Sequence, residues 1–315
     1  MGTSCLRILV LILINSYIAG VSASTFTFVN KCEFTVWPGI LSNAGIAPFL
    51  STGFALENGG SKVIDAPSSW RGRFWGRTAC TKDSAGKFTC QTGDCGSGVL
   101  ECNGGGAVPP ATLAEFTLDG GGGKDFYDVS LVDGYNLPML VVPQGGSGDN
   151  CTSTGCVVDL NGSCPPELRV TSEGQGVACK SACGAFGTEQ YCCSGAYGTP
   201  DVCKPSQYSL LFKHACPRAY SYAYDDKTST FTCTGADYVV TFCPSPNTSQ
   251  KSSGGPNQGS DGSNSDSISP FDSNMVYEGA YETNTASSST CTRVMGIATA
   301  VAAAIWQLDG HYLFY

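Results

Sequence analysis

The sequence predicts a mainly β fold, a sandwich of short strands, and three observations predict it. Apolar and small polar residues alternate over short runs; glycine and proline clusters separate those runs; and sixteen cysteines fall between Cys32 and Cys243. Alternation with a period of two turns one face of a strand toward a core and the other toward solvent. Many short strands broken by Gly/Pro turns bury their apolar faces by packing sheet on sheet.

The first two runs are Thr25-Phe26-Thr27-Phe28-Val29 and Phe34-Thr35-Val36-Trp37. Further strands are expected at residues 114–118, 127–132, 139–142, 230–233 and 238–242. The turn signals between them are Gly59-Gly60, Gly104 to Gly106, Pro109-Pro110, Gly120 to Gly123 and Gly145-Gly146. From Cys151 to Cys216 the chain is dense in cysteine and poor in such runs. That stretch reads as loops, with short helices around 180–186 and 205–213.

The chain has 18 cysteines, two histidines (His214 and His311) and no Cys-x-x-Cys. A zinc site needs paired cysteines or Cys/His knuckles, so disulfides made in an oxidising compartment are the better reading. Export fits this. Arg7, the apolar run 8–14 and the small residues Val21-Ser22-Ala23 form a signal peptide over residues 1–23, too short in its apolar part to span a bilayer. Cys5 leaves with it.

The formal net charge is −9. Removing the leader (Arg7) and the residues after Ser245 (Lys251 and Arg293 against Asp261, Asp266, Asp272, Glu278, Glu282 and Asp309) leaves −6 on the middle of the chain. Such a chain repels nucleic-acid phosphate and gains nothing from anionic lipid. Neutral polysaccharide carries no such penalty.

Residues 246–290 are Ser, Gly, Asn and Asp with few large apolar side chains, a composition that reads as a flexible stalk. The acidic stretch 261–266 lacks the glycine and carboxylate spacing of a calcium loop. Residues 291–315 contain the apolar run 294–306. Stalk, small residues and apolar tail together suggest a glycosylphosphatidylinositol anchor signal with attachment within 284–289; the alternative is an unprocessed tail. Sequons stand at Asn150, Asn161 and Asn247.

Generic catalytic motifs fail. Gly120 to Lys124 imitates a phosphate loop, but Leu118 stands where its first glycine belongs and Asp125 follows the lysine. His214, the one histidine before the stalk, has no nucleophile elbow to serve. Carboxylates are left. Glu115 sits inside the apolar run 113–118, and Asp128 and Asp133 flank Val129 to Val132. Five residues apart, the two aspartates face opposite ways on an ideal strand and converge only through a turn, which Asp133-Gly134 supplies. Asp133 capping that turn, and Glu115 pairing with an arginine, remain open readings.

The segment 86–102 (Gly-Lys-Phe-Thr-Cys-Gln-Thr-Gly-Asp-Cys-Gly-Ser-Gly-Val-Leu-Glu-Cys) resembles the signature of thaumatin-like proteins, pathogenesis-related family five. The blocks 25–37, 74–78, 113–116, 126–138, 191–193 and 239–244 are similar to the same family, so the resemblance covers residues 24 to about 245. Spacing alone leaves on the order of two million pairings of sixteen cysteines. The resemblance implies Cys32–Cys243, Cys80–Cys90, Cys95–Cys102, Cys151–Cys233, Cys156–Cys216, Cys164–Cys179, Cys183–Cys192 and Cys193–Cys203. It implies a β-sandwich core (24–79, 109–156 and 216–245), a small lobe (80–108) and a disulfide-rich lobe (157–215), with a cleft between core and disulfide-rich lobe. Arg73, Glu115, Asp128, Asp133 and Asp225 match the family's cleft residues.

What the resemblance implies for function is plant defence by binding β-1,3-glucan or another wall polysaccharide, with antifungal action on fungal membrane or surface components. A weak endo-β-1,3-glucanase with Glu115 as acid and Asp133 as partner is the second expectation, because glycoside hydrolysis needs one protonated and one ionised carboxyl. A tethered wall sensor is the third. A secreted or surface-anchored monomer without cofactor is expected.

Overall fold

The computed structural model describes residues 24–245. The expected leader, stalk, anchor signal, Asn247 sequon and acidic stretch 261–266 lie outside them.

Two sheets face one another. In the first, β3 (Ser61–Asp65), β1 (Thr25–Asn30), β13 (Asp237–Phe242), β8 (Met139–Gln144) and β9 (Thr154–Cys156) lie side by side in that order. In the second the order is β12 (Phe231–Cys233), β7 (Asp125–Ser130), β6 (Leu113–Thr117), β4 (Arg71–Lys82) and β2 (Trp37–Ser42), and β5 (Phe88–Thr92) pairs with the far end of β4. β1 and β13 pair in parallel. A hairpin of β10 (Arg169–Ser172) and β11 (Gln175–Cys179) stands apart from both sheets.

Alternation along β1 explains the layering. Phe26, Phe28 and Asn30 are buried while Thr25, Thr27 and Val29 are half-buried. Phe26 reaches across to Phe74 of β4 and Phe116 of β6, with ring centroids 4.7 and 4.8 Å away in edge-on geometry. Such pairs are worth ~0.5–1.5 kcal/mol beyond the area they bury. Asn30 sits among them because every polar atom of its amide is used: Nδ2 donates to the carbonyls of Phe34 and Leu56, and Oδ1 accepts from the Cys32 amide.

The strand expected at 34–37 instead begins at Trp37 and runs to Ser42. Pro38 argues against a central strand because it has no N–H to give. β2 has a full ladder partner in β4 alone, so the missing donor leaves the ladder intact. The strand expected at 127–132 begins two residues earlier and stops at Ser130, where the chain enters the Val132–Asp133 turn. β4, at 12 residues the longest strand, gave no alternating signal, because Trp75 and Arg77 on its outer face are as buried as Phe74 on its inner face.

That outer burial is the work of residues 80–108. Trp75 packs under Cys95, Cys102, Ala111 and Leu113, and its indole N–H donates to the Gly93 carbonyl. Arg77, fully buried, donates to the carbonyls of Trp37, Pro38 and Leu100. Burial lowers its pKa to about 10, against the opposing pull of Asp94 and Glu101. Buried backbone carbonyls need donors, and here one guanidinium ties β2 to the loop that carries Leu100.

Four short helices complete the described residues: α1 (Ala182–Phe186), α2 (Glu189–Cys192), α3 (Gln207–Ala215) and α4 (Asp226–Ser229). Ser181 caps α1, and Ser206 with Ser209 forms a capping box on α3. Both helices fall where composition placed them; α2 and α4, four residues each, gave no periodic signal. Eight disulfides join the cysteines of the described residues: Cys32–Cys243, Cys80–Cys90, Cys95–Cys102, Cys151–Cys233, Cys156–Cys216, Cys164–Cys179, Cys183–Cys192 and Cys193–Cys203.

Candidate functional site

Strand register builds the site. Arg73 of β4 lies directly opposite Glu115 of β6, and Glu115 lies directly opposite Asp128 of β7. Directly opposed residues share a face with Cβ atoms about 4.5–5.5 Å apart. One cation and two acids therefore form a row across three strands. Phe74, Phe116 and Tyr127, their sequence neighbours, point the other way into the core. Beside the row, a groove of about 250 Å³ is lined by Asn43, Thr117 and Phe126 as well as the three charged residues.

The Arg73 Nε is 3.5 Å from a Glu115 carboxylate oxygen, and both side chains are about one-third exposed. Glu115 titrates above the ordinary range: burial raises it most, the Arg73 charge opposes, and Asp133 raises it further. Asp128 is pushed well above its ordinary value, first by burial and then by the Glu115 charge, with Arg73 opposing and Asp226 adding. Its Oδ2 is buried without a hydrogen-bond partner, as is the Arg73 Nε. Burial and mutual repulsion favour the neutral form of at least one of the two acids, so that beside one fixed cation the row offers acceptors and, where protonated, a donor.

Asp133 joins them through the turn. The Gly134 amide donates to the Leu131 carbonyl and the Ala111 amide to the Asp133 carbonyl, which bends the chain after β7. Asp133 then borders a second cavity, of about 340 Å³, whose other wall comes from the cysteine-dense stretch: Ser181, Gly184, Tyr191 and Lys204. The charge of Asp133 reaches Glu115.

Asp225 is engaged elsewhere. Its Oδ2 lies 2.8 Å from the Lys213 ammonium and accepts from the Ser221 amide and hydroxyl, while Oδ1 accepts from Thr228. Those contacts fasten the loop before α4 to α3. The neighbouring Asp226, which the sequence reading passed over, accepts from the Tyr220 hydroxyl and lies close enough to raise the Asp128 pKa. Nothing in Tyr224-Asp225-Asp226 distinguishes the two aspartates; only the fold does. His214 is exposed on the last turn of α3.

A family model described as the thaumatin family matches residues 30–244. The chain belongs to the thaumatin family. Thaumatin-like protein 1 of Arabidopsis thaliana is 62% identical over 235 residues, covering 73% of this chain and 89% of the relative. Pathogenesis-related protein 5 of the same plant is 59% identical over 242 residues, covering 76% and 98%. A relative from Prunus avium named glucan endo-1,3-beta-glucosidase is 55% identical over 227 residues, covering 71% and 92%. For this thaumatin family member, the match runs from the last residue of β1 through β13 and so includes every strand that carries the charged row.

Proposed function

We propose that this protein is an extracellular defence protein that binds β-1,3-glucan in the groove of Arg73, Glu115 and Asp128, with Asp133 extending contact toward the disulfide-rich lobe and an antifungal effect following from capture of wall glucan. The observation that carries the reading is the cross-strand row of one cation and two acids whose carboxyls titrate above their ordinary range. Sugar hydroxyls are paired donors and acceptors, and a guanidinium beside two carboxyls offers them both kinds of partner. Eight disulfides support placement outside the cell. The glucanase name of the Prunus avium relative supports glucan as the polymer.

Retention on insoluble β-1,3-glucan tests this. Glu115→Gln and Arg73→Gln are expected to weaken binding about tenfold, the effect of losing one charged hydrogen-bonding partner. Unchanged retention in both would remove the groove from the mechanism.

A second reading, weak endo-β-1,3-glucanase activity, is favoured by the raised Glu115 and by the Asp133 charge near enough to help raise it. Glu115 would protonate the leaving oxygen, and Asp133 would act as base or nucleophile. Reducing ends released from laminarin by the wild type and lost in Glu115→Gln would establish it; glucan retention with no release would leave recognition alone.

A further inference from the structure

We propose that a second groove, remote from the charged row and free of ionisable side chains, binds a β-linked pyranose chain. It is about 390 Å³, larger than either acidic compartment, and is lined by Phe34 and Trp37 before and at the start of β2, Thr78 of β4, Gln91 of β5, Asn161, and Val177 of β11. A volume at the low end of ligand sites fits one or two sugar rings.

The lining supplies both halves of sugar recognition. A pyranose ring is apolar on its C–H faces and polar around its rim. Phe34 is 49% exposed, and Trp37 is half-buried with its ring edge-on to Phe88 at 6.4 Å. Trp70 and Trp75, the other tryptophans of the described residues, are fully buried. Aromatic faces left open to a groove offer rigid contact area at small entropic cost. The rim is amide. Gln91 is exposed and donates through Nε2 to the Ser172 hydroxyl. Asn161 donates through Nδ2 to the Asn136 carbonyl, and its Oδ1 is buried with no hydrogen-bond partner. A buried acceptor without a donor is costly, and a ligand hydroxyl or acetamido N–H would satisfy it.

The walls are fixed before any ligand arrives. Gln91 follows Cys90, crosslinked to Cys80, and the β10–β11 hairpin is crosslinked through Cys164–Cys179. Fixed walls reduce the ordering cost of binding. The groove is also separate from the acidic row: on the outer face of β4, Trp75 under its cover stands between Arg73 and the Trp37 end of the sheet.

Two oligomers share the required chemistry, β-1,3-linked glucose (laminaritetraose) and β-1,4-linked N-acetylglucosamine (chitotetraose). Each is titrated into the protein while tryptophan emission is followed. A saturable change with either, abolished by Trp37→Phe, is the expected result, and the responding oligomer identifies the polymer. Phe34→Ala, at an exposed position, is expected to weaken affinity about two- to tenfold. The Trp37 signal is expected to persist in Glu115→Gln. No saturable change with either oligomer, a change untouched by Trp37→Phe, or a signal lost in Glu115→Gln would overturn the proposal. So would mass spectrometry finding Asn161 glycosylated, because that glycan would fill the groove; with its Nδ2 held inward, Asn161 is expected unmodified.

Discussion

Replacing Cys32 and Cys243 together by serine is expected to lower stability by about 5 kcal/mol, the largest effect of any change considered. The bridge closes a loop of 211 residues, and in the chain-entropy model the stabilisation grows with the logarithm of loop length, passing about 4.7 kcal/mol at 100 residues. Its ends lie just beyond β1 and β13, which already pair in parallel. Removing it therefore frees the unfolded chain far more than it disturbs the folded one. For a domain of this size each kcal/mol shifts Tm by about 2–4 °C. A fall of roughly 10–20 °C by calorimetry, with glucan retention unchanged at 20 °C, is the expected pair of results. A fall under about 3 °C would show that the unfolded chain is already restrained by the other seven bridges.

The second large effect has the opposite sign. Asp128→Asn is expected to stabilise the protein by about 1–3 kcal/mol at pH 7 while weakening glucan binding. Asp128 titrates well above its ordinary value because burial and the Glu115 charge disfavour its ionised form. An acid with a raised folded pKa stabilises fully below its unfolded pKa, and that contribution is lost as pH rises through the folded pKa. The asparagine variant does not titrate and so escapes the loss. Its advantage over wild type should be near zero at pH 3 and grow as pH rises toward the folded pKa, on the scale of the ~1–3 kcal/mol cost of an unpaired buried polar group. Urea midpoints at pH 3 and pH 7 read this directly. An equal advantage at both would mean that packing, and not charge, is responsible. Stability gained by neutralising a site residue is the usual mark of a group kept for function.

The two effects also divide what was legible in the sequence from what was not. Strand alternation announced β1, β6, β8 and β13, since each buries one face or sits at mid-sheet with residues that match. It missed β4, whose outer face is covered around Trp75 by Cys95, Cys102 and Ala111, and it placed β2 early because Pro38 masks an edge strand. The site divides the same way. Glu115 betrays itself as a charge inside an apolar run. Whether Asp128 and Asp133 converge depended on a turn that a two-residue signal only suggested. The choice between Asp225 and Asp226 depended on Lys213, Ser221 and Tyr220, which lie up to twelve positions away and reach these acids only in the folded loop. The neutral groove left no local trace at all: its lining is drawn from residues 34, 35, 37, 78, 79, 91, 136, 161, 176 and 177, six stretches that only the fold brings together.

The position of β13 has a further consequence, for synthesis. It lies in the middle of its sheet, with β3 and β1 on one side and β8 and β9 on the other. Until residues 237–242 leave the ribosome, these are two half-sheets, each presenting an open edge and an apolar face that nothing yet covers. The sandwich cannot close progressively from its N-terminus; closure waits for nearly the whole domain to be translated. A nascent chain paused before Asp237 should thus be protease-sensitive throughout and bound by chaperones, and release of about ten further residues should convert it in one step to the resistant form.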